Sequence, residues 1–299
     1  MTLTQIQYVL AVAETGTISA AAKRLFIAQP SLTASIKELE NELQVTLFRR
    51  TNKGVTLTPE GEEFLGYARQ VNSQLDLMRE RYFGGAPVRR RFCVSTQHYS
   101  FAVEAFVALL KEHGGETYDF HLRETQTYEI IEDVARMRSE IGILFLNDFN
   151  EAVLSKLLKS HDLEFHQLFV ASPHVFISRK HPLAGNSIIT NEELEEYPYL
   201  SFEQGEHNSF YFSEEIFSDF ERRKNIRVRD RATLFNLLIG LNGYTVCSGV
   251  IDKKLNGKDI IAVPLADESD MRIGYITHRK GMLSRLGTTY LEALQKYLG

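Results

Sequence analysis

Between Thr58 and the pair Gly84-Gly85 the chain carries Phe64, Ala68, Val71, Leu75, Met78 and Tyr82, at steps of 4, 3, 4, 3 and 4. That spacing is a heptad seam, a stripe along one side of a helix that calls for a partner helix. Thr58 is placed to cap the helix before Pro59, and the two glycines to end it. At 1.5 Å per residue such a helix reaches about 37 Å. The alternative is a helix laid on its own globular body. Either way the seam divides the chain into a head over 1–58, a linker helix with its hinge over 59–91, and a body over 92–299. The hinge, Ala86 to Arg91, ends in three arginines suited to a solvated linker or to phosphates.

The head reads as helices. Leu3, Ile6, Val9, Leu10 and Ala13 recur at helical spacing, and Gly16 breaks the pattern. Ser19 is placed to cap a second helix holding Ala20, Ala21, Ala22 and Leu25, whose small side chains permit close helix crossing. A third helix opens at Gln29, with Pro30 in its first turn where a missing N–H costs nothing. Its apolar stripe is Leu32, Ile36, Leu39 and Leu43. The opposite face carries Gln29, Pro30, Ser31, Thr33, Ser35 and Lys37, short polar groups near a helix N-terminus of the kind a major-groove reader presents. Arg49, Arg50, Thr51 and Lys53 then precede the strand Val55–Leu57, a basic hairpin suited to phosphate or minor-groove contact. Each of these residues alone is an ordinary surface position. Their order, helix, tight turn, helix and basic hairpin, makes a winged helix-turn-helix.

Here the residues carry a resemblance. Ala20-Ala21-Ala22-Lys23-Arg24-Leu25, Gln29-Pro30-Ser31-Leu32-Thr33, Ile36, Leu39-Glu40, Leu47-Phe48 and Leu57-Thr58-Pro59-Glu60-Gly61 resemble the LysR-type transcriptional regulators. The resemblance implies double-stranded DNA as a partner, with a second copy pairing along the seam in antiparallel fashion. It further implies a homodimer or homotetramer, RNA polymerase as a further partner, and a small effector bound by the body. Two positions depart from the family's pattern: Gln44 stands where glycine is usual, and Ala34 where arginine is common.

After residue 91 strands and helices alternate. Phe92–Ser95, Tyr118–Glu124, the wholly apolar Ile141–Leu146, Phe165–Ser178 (broken at Pro173) and Tyr244–Ser248 read as strands. Phe101–Lys111, Tyr128–Arg138, the region 208–224, Ala232–Leu241 and Leu283–Leu298 read as helices. The alternation predicts an α/β body with doubly wound sheets. The family resemblance divides it into two subdomains like those of a periplasmic solute-binding protein: 92–163 with 267–299, and 164–266. The crossovers are expected near 162–166 and 264–268.

Open α/β sheets bind ligands at the carboxyl ends of strands, beside helix N-termini. Those ends supply Thr96, Gln97 and His98; Thr125, Gln126 and Thr127; Ser201, Phe202 and Glu203, with Gln204 following; and Ser248. Hydroxyls and amides at helix N-termini suit a carboxylate or another small anion, and His98 with Glu203 suits an amino group. Each residue taken singly also reads as a structural cap or turn. The stretches Ser95–Tyr99 and Arg123–Thr125 resemble a Gram-positive subgroup tied to methionine uptake or cell-surface traits. That ranks sulfur-containing amino acids first among effectors and organic acids next.

Net charge conceals an asymmetry. Residues 1–91 hold twelve Lys/Arg against nine Asp/Glu, and the rest carries −8 of the overall −5 against this +3. A basic head on an acidic body suits local DNA contact. With 43% hydrophobic residues the chain can fill globular cores. No apolar run approaches the ~20 residues of a bilayer span, and the first residues lack the pattern of a secretory signal. A cytoplasmic protein without a membrane partner is the expectation. Cys93 and Cys247 make no disulfide framework and suit a reducing compartment. No G-x-G-x-x-G, P-loop, metal-ligand spacing or nucleophile elbow occurs, so no cofactor, metal site or catalytic residue is expected and the chain reads as a non-enzyme. Two alternatives remain: the same architecture sensing oxidants through Cys93 and Cys247, or a non-regulatory small-ligand-binding protein.

Overall fold

The computed structural model describes residues 1–52, 54–83, 90–114, 118–207, 209–251 and 257–296. The chain forms two compact units, Met1–Val88 with Arg136–Arg138, and the remainder.

The first unit begins with α1 (Leu3–Thr15). The Thr2 hydroxyl accepts the Gln5 N–H at 3.2 Å and the Gln5 carboxamide oxygen accepts the Thr2 N–H at 2.8 Å, a reciprocal cap. Gly16, at φ 72°, ends the helix. α2 (Ile18–Arg24) is capped by Thr17, whose hydroxyl accepts the Ala20 N–H, and not by Ser19 as expected. Thr17 has the extended backbone a cap needs, whereas Ser19 already lies inside the first turn. α3 (Gln29–Leu43) buries Leu32, Ile36 and Leu39 against Val9, Val12, Ala21 and Ala22. Its C-cap Gln44 adopts φ 56°, the left-handed conformation that favours glycine, at a cost of about 1 kcal/mol.

The hairpin β1 (Phe48–Thr51) and β2 (Gly54–Leu57) pairs Phe48 with Leu57 and Arg50 with Val55. Glu40 ties α3 to it: one carboxylate oxygen accepts the N–H groups of Leu47 at 2.7 Å and Phe48 at 3.1 Å. α4 (Pro59–Phe83) starts where the Thr58 hydroxyl accepts the Gly61 N–H and donates to the Thr46 carbonyl. A Cβ on Gly61 would lie 2.1 Å from the Leu47 carbonyl oxygen, so the helix approaches the hairpin only because this residue is glycine.

The second unit carries two five-stranded mixed sheets. The first has the order β4 (Tyr118–Glu124), β3 (Arg90–Thr96), β5 (Ile141–Leu146), β12 (Met271–His278), β6 (Leu163–Ala171). β3 runs parallel to β4 and β5, and β12 antiparallel to β5 and β6. The second has the order β11 (Ile260–Pro264), β7 (His174–Ser178), β10 (Tyr244–Cys247), β8 (Tyr199–Phe202), β9 (Asn225–Val228). Among the described residues the helices are α5 (Ser100–His113), α6 (Thr127–Ala135), α7 (Glu151–Ser160), α8 (Asn191–Leu194), α9 (Arg231–Leu241) and α10 (Arg285–Lys296). One apolar cluster joins the sheets, with Val94, Ile143, Phe145 and Ile273 from the first and Val175, Ile177, Tyr199 and Val246 from the second.

Two expectations are corrected. β6 pairs with β12 over its whole length, from Leu163 opposite His278 to Ala171 opposite Met271. The first crossover therefore falls at Ser172-Pro173 rather than near 162–166, and 164–171 belong with the first sheet. Proline withholds the N–H that would continue the ladder, so the chain leaves the sheet there. The region 208–224 contains no α-helix among its described residues, only a 3-10 turn over Phe210–Phe212. Phe217 at φ 60° interrupts any helix, and the carboxylates of Glu214 and Glu215 accept backbone N–H groups elsewhere in the unit. The strands β9, β11 and β12 and the helices α7 and α8 have no counterpart in the sequence reading.

Candidate functional site

The residues expected to face DNA lie on α3 and the hairpin. Gln29, Pro30, Ser31 and Lys37 are exposed, and Thr33 and Ser35 are half-buried beside the stripe of Leu32, Ile36 and Leu39. Arg49, Arg50 and Thr51 are all exposed on β1. Lys53 lies outside the described residues. The Val55 N–H donates to the Gly16 carbonyl at 2.9 Å, which anchors the hairpin to the turn between α1 and α2. The polar helix face and the two arginines thus sit on one rigidly packed unit.

Along α4 the predicted seam divides in character. Ala68 is buried, Phe64 and Leu75 are half-buried, and Val71, Met78 and Tyr82 are exposed, Tyr82 at 71%. Exposed apolar residues at heptad spacing on a 25-residue helix form a face suited to a second helix.

The strand-end residues of the second unit converge. Gln97 is buried: its side-chain Nε2 donates to the Thr127 hydroxyl at 2.7 Å, and its Oε1 accepts from the Tyr99 hydroxyl and the Phe145 N–H. From the second sheet's side, the Gln204 carboxamide oxygen accepts the Thr127 N–H at 3.0 Å, filling one donor of the α6 N-terminus. His98 reaches the same side. Its N–H donates to Glu214 Oε2 at 2.9 Å and its Nδ1 lies 2.8 Å from that oxygen. The imidazole lies flat on the Phe202 ring, centroids 3.7 Å apart. Tyr128 stacks on His207, and Arg231 pairs with Glu124. Residues of the two sheets are therefore linked to one another across the cleft, around a cavity of about 50 Å³ lined by His98, Ser100, Phe202, Glu214 and Ser248.

Burial shapes the electrostatics. Desolvation, reinforced by neighbouring Glu214, pushes the Glu215 carboxyl well above the usual carboxylate range. The Phe202 N–H donates to Glu215 Oε1 at 2.8 Å, and Oε2 has no partner among the described residues. Burial lowers the Arg231 guanidinium to about 10. It pushes the Cys247 thiol up, away from the thiolate. Cys93 Sγ lies 3.0 Å from the Ser139 hydroxyl, in a network with Ser95 and Asp133.

Of the predicted effector residues, Gln97, His98, Thr127 and Phe202 meet in this network, and Ser248 lines the small cavity. Thr96 is fully buried, with its hydroxyl donating to the Gln97 carbonyl. Thr125 hydrogen-bonds to Glu129, and Gln126 lies against Gly205. Ser201 is buried within β8. Glu203 departs from the group: its carboxylate pairs with exposed Arg229 and is not joined to His98. The partner of His98 that the sequence reading missed is Glu214, and the neighbouring Glu215, which accepts the Phe202 N–H, was missed as well. No strand end or motif marks them. Among the described residues no group of three or more His, Cys, Asp or Glu is placed to hold a metal ion, and no helix is long and apolar enough to cross a membrane.

Together these features define a two-part protein, a winged helix-turn-helix and long helix joined to a two-sheet α/β domain with a polar cleft. Residues 3–62 match the model described as the bacterial regulatory helix-turn-helix protein of the lysR family, and residues 92–299 match the LysR substrate binding domain. The RuBisCO operon transcriptional regulator of Allochromatium vinosum is 26% identical over 290 residues, 94% of this chain and 91% of the relative. The regulator AlsR of Bacillus subtilis is 28% identical over 250 residues, 81% of this chain and 77% of the relative. A full-length OxyR variant from Pseudomonas aeruginosa shares the fold at a TM-score of 0.64, with 19% identity over 99% of this chain and 97% of that one. The chain belongs to the LysR family: it is a DNA-binding transcriptional regulator with an effector-binding domain.

Proposed function

We propose that the protein controls promoters in response to a small effector, an amino acid or organic anion, bound between the two sheets of residues 92–299. The observation that carries this reading is the meeting of Gln97, His98 and Thr127 with Phe202, Gln204 and Glu214 across the cleft. A ligand that replaces these cross-cleft bonds has a differential affinity for the open and closed arrangements, which is what a switch requires. A decisive switch needs ~5 kcal/mol of such difference. Gln29, Ser31, Thr33, Ser35 and Lys37 read base edges and phosphates, and Arg49, Arg50 and Lys53 hold the backbone.

The exposed residues Val71, Met78 and Tyr82 of α4 support pairing with a second copy, and two such dimers make a tetramer that holds two DNA sites. RNA polymerase is the partner at the promoter, and the cytoplasm is the setting. We read the domain as a regulator's and not as an enzyme's. Oxidant sensing through Cys247 is disfavoured because burial raises its thiol, and the thiolate is the reactive form.

The test is a thermal-melt screen of the full chain against amino acids, organic acids and sugar phosphates, since a ligand of the folded state raises the melting temperature with its concentration. A shift that Thr127→Ala abolishes supports the cleft. A panel without any shift sinks the small-effector reading.

A further inference from the structure

Beside the His98–Glu214 junction lies a larger cavity of about 510 Å³, within the size range of small-ligand sites. It is bounded by the end of β5 with the following loop, by the irregular segment 210–220, and by the crossover between β11 and β12. Three features of its lining point the same way.

The first is charge. Asp148, Asp219, Glu268 and Asp270 line the cavity, whereas Arg272 is the one basic residue among the described lining residues. Arg272 is already engaged, with a guanidinium nitrogen 2.8 Å from Glu151 and 3.5 Å from Asp148. The second is aromatic surface. Phe149, Phe210 and Phe220 line the same cavity and are each between 43% and 52% exposed, an unusual exposure for three phenylalanines around one opening. Aromatic faces with carboxylates are the surroundings that organic cations select. The third is Glu215, only 3% exposed, which lines both this cavity and the smaller one and has a carboxylate oxygen without a partner among the described residues. A buried acceptor left open is costly unless something donates to it.

We propose that this cavity is a second ligand site, which takes a small organic cation: a protonated primary amine on an apolar or aromatic body. The ammonium donates toward Glu215 and the rim carboxylates, and the body packs against the phenylalanines. This rests on the reading of the domain as effector-binding and goes beyond it, since the cavity is lined by none of the strand-end residues of the cleft and selects the opposite charge from an organic anion.

The experiment is calorimetric titration of the full-length protein with phenethylamine and with 3-phenylpropionate, which share a ring and tether and differ in charge. Phenethylamine is expected to bind at least about tenfold more tightly, a difference of ~1.4 kcal/mol. Glu215→Gln is expected to weaken it by about tenfold. The exposed double variant Asp219→Asn with Glu268→Gln, which leaves the core intact, is expected to weaken it by about fivefold. Equal affinity for the two probes, tighter binding of the anion, no binding of the amine, or amine affinity unchanged in both variants each overturns the proposal. DNA binding is measured separately on the same wild-type protein. A failure of the regulator reading is thereby distinguishable from a failure of this one.

Discussion

His98 and Glu214 join the two sheets of the effector-binding domain through a pair of contacts to one oxygen, the backbone N–H at 2.9 Å and the ring Nδ1 at 2.8 Å. The ring also covers Phe202. His98→Ala removes the ring contacts and leaves Glu214 buried with less solvation. The expected cost is about 1–3 kcal/mol in urea unfolding. Amide exchange should quicken in both 96–100 and 200–216. A loss confined to one side would show that the pair does not tie the sheets together.

Glu215 predicts a pH dependence. Its folded-state carboxyl is raised, chiefly by burial and then by Glu214, with the Phe202 N–H and Arg227 acting in the opposite direction. A raised acid favours the folded state while protonated. That stability is fully present below the unfolded carboxyl value of about 4.3 and is lost as pH rises through the folded value. Glu215→Gln cannot ionise, so its melting temperature relative to wild type should climb between acid and neutral pH. A constant offset across that window would mean that the carboxyl is unperturbed.

Gly61 predicts a steric failure in the head. An added Cβ meets the Leu47 carbonyl at 2.1 Å, with backbone and not a flexible side chain in the way. Gly61→Ala should therefore displace the start of α4 from the hairpin and destabilise the head by several kcal/mol, about the scale of overpacking. Equal melting temperatures for Gly61→Ala and wild type would refute the close approach.

Arg50 is exposed on β1 and pairs in register with Val55. Arg50→Ala should weaken DNA binding and reduce the dependence of log affinity on log salt by about one phosphate's worth, a slope change near 0.9. Its effect on ligand-induced melting shifts should be nil. An unchanged salt slope would remove the hairpin from the DNA contact.

The local elements were legible because they rest on periodicity and on caps. Leu32, Ile36 and Leu39 gave α3 its buried side, Pro30 marked its first turn, Thr58 marked the start of α4, and the unbroken apolar run Ile141–Leu146 was a strand buried on both faces. Cap choice was less legible: Thr17 and Ser19 are chemically similar, and only the backbone at Thr17 distinguishes them. Half of the cleft was legible for the same local reason, since strand ends beside helix starts can be read along the chain.

The sequence alone determined α3, the long α4 and the alternation of the body, because spacing of apolar residues at 3.6 or 2 is a property of neighbours in the chain. Tertiary structure decided which carboxylate faces His98, where the chain crosses between the sheets, and that 209–224 gives up helix. Glu214 stands 116 residues from His98. Its inward turn satisfies the His98 backbone N–H and the Gln204 side-chain amide, which need an acceptor once water is excluded. That requirement exists only after the two sheets have come together, so no window of sequence contains it.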